Sequence, residues 1–193
     1  MTVPGNASDR QESREGSGVA SVSHTQIVRP DGGTDTSQED REQRHRILRS
    51  LRGQLELHPA VVSARGIPEG NYAEIEANLD PQYFGRDAAE ASLRMTWQPN
   101  PTFPPGTSLE DRQRTSLTAN FVFHYSESTG FDCGYHLEPN PHVTGHLHYQ
   151  ERDAPEEDYT YDTFTFTASS PVGVLWELLD ALETRLHDET DPA

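Results

Sequence analysis

The chain contains no lysine. All 15 of its basic residues are arginine, against 32 aspartates and glutamates, and the formal net charge is −17. Its one cysteine is Cys133, so no disulfide can form within the chain and a disulfide-stapled secreted domain is excluded. No run of about 18 apolar residues occurs, so no helix is expected to span a bilayer. The N-terminus lacks a basic stretch followed by an apolar one, and no signal peptide is expected. Phosphate-binding loops, dinucleotide fingerprints and Ser-His-Asp hydrolase motifs are also missing. The expectation from these absences is a cytoplasmic location and no membrane partner.

Only 32% of the residues are hydrophobic, and the mean hydropathy is −0.81. Low hydrophobicity with high net charge marks disordered chains. It also marks proteins kept dissolved in molar salt by a dense carboxylate surface. The lack of lysine, and the apolar patterning described below, favour a protein of a salt-adapted cell. At 1 M salt the Debye length is about 3 Å. Net charge then excludes neither RNA nor a protein partner, although an RNA contact must rest on stacking, hydrogen bonds and shape.

Residues 1–40 are mostly Ser, Thr, Gly, Asp, Glu and Gln. They cannot bury enough surface to offset chain entropy and read as a disordered tail. A start-codon misassignment is the alternative for part of it. Residues 41–188 read as one domain, and 189–193 as a disordered end. A helix is expected over 43–58, where Ile47, Leu48, Leu51 and Leu55 form one stripe before Pro59. Residues 43–66 carry five arginines against Glu56 alone, the one basic segment of the chain. Arg44, Arg49 and Arg52 are therefore candidate partner contacts. The plain alternative is a packed helix with solvated arginines.

From Tyr72 the apolar period changes to two. AEIEANLD, ASLRMTWQP, LTANFVFHY, TGHLHYQ and YTYDTFTFT each read as a strand bounded by turn residues. The Pro-rich residues 98–113 read as a surface loop. Ser170 and Pro171 start a last helix with a broad leucine face. The expected fold is α+β: an antiparallel sheet of about five strands flanked by an N-terminal and a C-terminal helix.

Five of the nine histidines fall between positions 124 and 148: His124, His136, His142, His146 and His148. Alternation puts His146 and His148 on one face of their strand and His124 on the less apolar face of its own. His136 and His142 bracket a Glu138-Pro139-Asn140-Pro141 turn. Three readings are open. The first is a solvated polar face. The second is a metal site completed by His124 or Glu151. Gly145-His146-x-His148-x-x-Glu151 resembles the cupin metal motif, with a shorter gap before the carboxylate and too few strands for a double-sheet barrel. The third is acid and base catalysis on RNA, since imidazoles titrate near pH 6.5 and need neither metal nor cofactor. His124, His146 and His148 would be central there. Arg152 would stabilise the phosphate, with Arg112 and Arg114 as further candidates. His136, His142, Tyr125 and Tyr149 are candidate substrate contacts, Tyr125 and Tyr149 by stacking on bases.

The segment FVFHYSESTGFDCGYHLEPNPHVTGHLHYQERD, with SSPVGVLWELLDAL after it, resembles the core of TumE-like proteins, the toxin half of small two-gene toxin–antitoxin systems. The resemblance rests on Phe123-His124-Tyr125, Gly134-Tyr135-His136, Pro141-His142, His146-Leu147-His148 and the Pro-started leucine helix. It covers roughly residues 70–187 and suggests a member of haloarchaeal type. It implies a toxin component acting on RNA as a metal-independent ribonuclease, with a helix-turn-helix type antitoxin as partner. The alternative from another class is a non-catalytic protein-binding module, metal-loaded in one version.

Overall fold

The computed structural model describes residues 36–100, 119–143 and 146–188. The expectations for residues 1–35, for 189–193, for Arg112 and Arg114 and for most of the Pro-rich loop lie outside these. Helix α1, Thr36–Leu55, is followed by strands β1, Val61–Ile67, and β2, Glu74–Leu79. A 3-10 turn at Pro81–Phe84 leads to β3, Ala91–Pro99, and β4, Ala119–Glu127. Strands β5, Asp132–Leu137, β6, Leu147–Arg152, and β7, Thr160–Thr163, precede helix α2, Pro171–Asp188. The fold is α+β, as expected, but the sheet has seven strands rather than about five. All are antiparallel neighbours in chain order.

The two additional strands have physical reasons for escaping a periodicity argument. Strand β1 is an edge, and its VVSARGI sequence is only partly covered, with Val62 and Ser63 exposed across a register irregularity. Strand β5 is buried at all six positions, and Gly134 interrupts its alternation. Its polar side is only Asp132, Gly134 and His136, and a glycine at the centre weakens so short a period. Helix α1 also begins before residue 43, so residues 36–40 are helical. Its first turns are polar all round and carry no stripe.

Leu48, Leu51 and Leu55 of α1 are fully buried, with Ile47 partly covered beside them. In α2, the Ser170 hydroxyl accepts the Gly173 amide at 3.1 Å, capping the start at Pro171. Val174, Leu175, Leu178, Leu179, Leu182 and Leu186 then face the core. Both helices cover one face of the sheet, made of Ile75, Leu93, Met95, Phe121, Phe123 and their in-register neighbours. Phe164 and Phe166 lie beyond the end of β7 and still pack on this core, although the expected strand is cut short. The other face carries polar side chains in register, with Arg94 opposite His124 and His124 opposite Gly134.

Candidate functional site

Strands β4 and β6 do not pair; β5 lies between them. That inserts a third imidazole into the row. His136 sits directly opposite His148 on β6, and His124 is its diagonal neighbour on β4. The ring centroids are 5.5 Å apart for His124 and His136, and 5.3 Å for His136 and His148. His146 precedes β6, and its carbonyl accepts the Glu138 amide at 2.9 Å. The same carbonyl lies 3.3 Å from His148 Nδ1. The structure thus draws His146 into the site through its backbone.

The three rings are wired to one another and to carboxylates. His124 Nδ1 lies 3.3 Å from His136 Nε2. His136 Nδ1 lies 3.1 Å from Glu138 Oε1. At the other end, His124 Nε2 lies 3.4 Å from Asp132 Oδ1, a buried oxygen that makes no hydrogen bond. An ionised carboxylate only accepts, so His136 Nδ1 carries a proton toward Glu138. One proton lies between His124 Nδ1 and His136 Nε2, and a proton on His124 Nε2 would face the Asp132 carboxylate.

Burial acts in the same direction on His124 and His148, and their hydrogen-bond partners differ. Burial holds His124 below the ordinary imidazole range, opposed by the Asp132 charge. The bond from His136 holds the Glu138 carboxyl below its ordinary range, so Glu138 stays ionised. His148 is fully buried, and burial lowers it too. Its bonds fit a neutral ring. Nδ1 donates to the His146 carbonyl, and Nε2 accepts from the Asn140 amide nitrogen at 3.0 Å. Two sets of partners on one face thus set a single imidazole, His148, beside a hydrogen-bonded pair.

The remaining sequence candidates divide by position. Arg152 shares the His face, but its guanidinium makes two bonds to Asp132 Oδ2, at 2.8 and 3.1 Å. It also lies over the Tyr159 ring, 4.8 Å from the centroid. His142 is exposed and stacks on Tyr161, with centroids 4.9 Å apart and planes 6° apart. Tyr125 and Tyr149 lie on the helix-packed face, where their hydroxyls bond Glu127 and Glu151. Burial first, then these carboxylates, push both phenols well above their usual range. They are core residues on the side of the sheet away from the imidazoles. Arg44 bonds Gln98, and Arg52 bonds Tyr72 and pairs with Glu56, while Arg49 is exposed.

Sequence reading missed Asp132, Glu138, Asn140, Tyr159 and Tyr161. Asp132, Gly134 and His136 do alternate along β5, and that signal was available once β5 was taken as a strand. Asn140 and Glu138 come from the turn, whose path alternation does not describe. Among the described residues, no group of three His, Cys, Asp or Glu side chains is arranged to hold a metal ion. No helix among them is long and apolar enough to cross a membrane. No family model, curated protein or solved structure matches the chain.

Proposed function

We propose that the chain is a toxin component of a toxin–antitoxin system in a salt-adapted cell, cutting RNA by proton transfer at its His face. The observation that supports this reading is the placement of one imidazole, His148, beside a hydrogen-bonded imidazole pair, His124 and His136, on the same sheet face. Cleavage of an RNA strand needs one group that takes a proton and one that gives a proton. His148 Nε2 takes the 2′-hydroxyl proton as the 2′-oxygen bonds to phosphorus. The bond from phosphorus to the 5′-oxygen breaks, and His124 in its protonated form gives that oxygen a proton. Asn140 occupies His148 Nε2 and must be displaced by the hydroxyl. Asp132 and Glu138 hold the pair in place, and Arg152 positions Asp132. RNA as the substrate rests on the TumE-like pattern of residues 123–148.

A second reading, the non-catalytic binding module, is favoured by the hydrogen bonds that occupy five of the six ring nitrogens of His124, His136 and His148. One experiment separates the two. A 5′-labelled RNA is incubated in 2 M KCl with the wild type, His148→Asn and His136→Asn. The catalytic reading expects 2′,3′-cyclic phosphate ends from the wild type and a loss of about 10²- to 10⁴-fold in each folded variant. Equal activity in all three, or no cyclic ends, removes the catalytic reading and leaves the binding module.

A further inference from the structure

We infer that the mouth beside the His row is a binding site for an arginine side chain of a partner polypeptide. The inference stands on a cavity of about 660 Å³ that the proton chemistry does not use. That volume falls in the range of about 300–1,000 Å³ common for small-molecule sites. Its walls include the rings of His142, Tyr159 and Tyr161. Glu156, Glu157 and Asp158 line it too, and all three are exposed. The cationic group among the lining residues is Arg152, and its charge is already bound to Asp132.

Aromatic rings and exposed carboxylates in one cavity select a particular guest. An anion meets three like charges. An apolar guest leaves those carboxylates without partners. A cation satisfies both, through the ring quadrupoles and the carboxylate oxygens. Guanidinium fits better than ammonium because it is planar, weakly hydrated and able to bond a carboxylate with two parallel N–H groups. The cavity wall already displays the arrangement, since the Arg152 guanidinium lies over Tyr159. Such bonds act at short range and persist in salt that screens long-range attraction. A guest here lies one ring away from the imidazoles, because Tyr161 is 6.1 Å from His148 and Tyr159 is 6.5 Å from His124, centroid to centroid. A bound partner would therefore sit at the entrance of the His face, whichever chemistry that face performs.

The test titrates the full chain in 0.5 M KCl with N-acetyl-arginine amide and follows the aromatic resonances of Tyr159, Tyr161 and His142. Parallel titrations use N-acetyl-citrulline amide, which keeps the shape without the charge, and guanosine monophosphate. The expected result is saturable shifts with the arginine amide and binding at least about tenfold weaker with the citrulline amide. Tyr161→Leu and the triple variant Glu156→Gln, Glu157→Gln, Asp158→Asn should each weaken it by about tenfold or more. The triple variant changes only exposed side chains, so it keeps the test valid if Tyr161→Leu fails to fold. Unshifted resonances, equal binding of citrulline, wild-type affinity in the triple variant, or preferential binding of the nucleotide at these rings would each overturn the inference. None of these readouts depends on RNA cleavage, so the failure of either idea leaves the other standing.

Discussion

His124 Nδ1 and His136 Nε2 meet at 3.3 Å over Gly134, the residue directly opposite His124 on β5. A Cβ built at Gly134 would lie 2.6 Å from His124 Nδ1, 2.8 Å from the Phe123 carbonyl oxygen and 3.0 Å from His136 Nε2. The imidazole contact exists because this position has no side chain. Gly134→Ala should part the two rings and strain the β4–β5 backbone, costing about 1–3 kcal/mol as an overpacking substitution. Chemical denaturation checks the cost, and imidazole nitrogen shifts check the lost bond. An alanine variant with wild-type stability and wild-type imidazole shifts would show that the contact is not governed by this residue.

Acidification should destabilise the fold before the carboxylates titrate. Burial lowers both His124 and His148 below their ordinary value of 6.5. The folded state then binds fewer protons than the unfolded one, so these groups add stability above pH 6.5 and lose it as the pH falls through their folded values. Glu138, also lowered, adds stability above the ordinary carboxyl range and loses it at more acid pH. Melting temperatures between pH 8 and pH 5 should fall, and His148→Asn should flatten part of that slope. A melting temperature that rises toward pH 5 would contradict the buried neutral state of His148.

The Arg86–Glu127 pair should be the most costly surface-proximal ion pair to break from the arginine side. The Glu127 side chain is 2% exposed, and Arg86 Nε lies 2.7 Å from its Oε1. Tyr125 donates to the same carboxylate at 2.9 Å. Arg86→Met leaves a buried carboxylate without its cation, a loss of about 3–5 kcal/mol. Replacing the exposed Arg65, which pairs with a half-exposed Glu76, should cost about 0–1 kcal/mol. Urea titrations of the two variants compare them, and similar losses in both would refute the difference drawn from burial.

The arginines of α1 should separate in the same way. Arg49→Gln should leave stability within about 0.5 kcal/mol, as an exposed substitution. Arg52→Gln gives up the Tyr72 hydroxyl and the Glu56 pairing, and should cost about 1 kcal/mol. If a partner docks on this helix, Arg49→Gln should weaken that complex without altering the melting curve of the free protein. A pull-down with a helix-turn-helix type antitoxin reads the first effect and calorimetry the second.

The α+β class, the two flanking helices, their leucine stripes and the inward faces of β2, β3 and β4 follow from the sequence alone. Each has a period of about 3.6 or of two, because one side of it meets water and the other meets the core. Alternation also assigned His124 and His148 to the polar side of their strands, opposite Phe123 and Tyr149. The site itself was decided by tertiary structure. The short alternation of β5 shows which side His136 takes, but only strand order places it between His124 and His148. Asp132 reaches His124 only through that pairing, and Glu138 and Asn140 reach their imidazoles through a turn whose path no periodicity encodes. Local sequence specifies which face a side chain takes. Which side chains then meet depends on strand order and register, and those are set by contacts between distant segments.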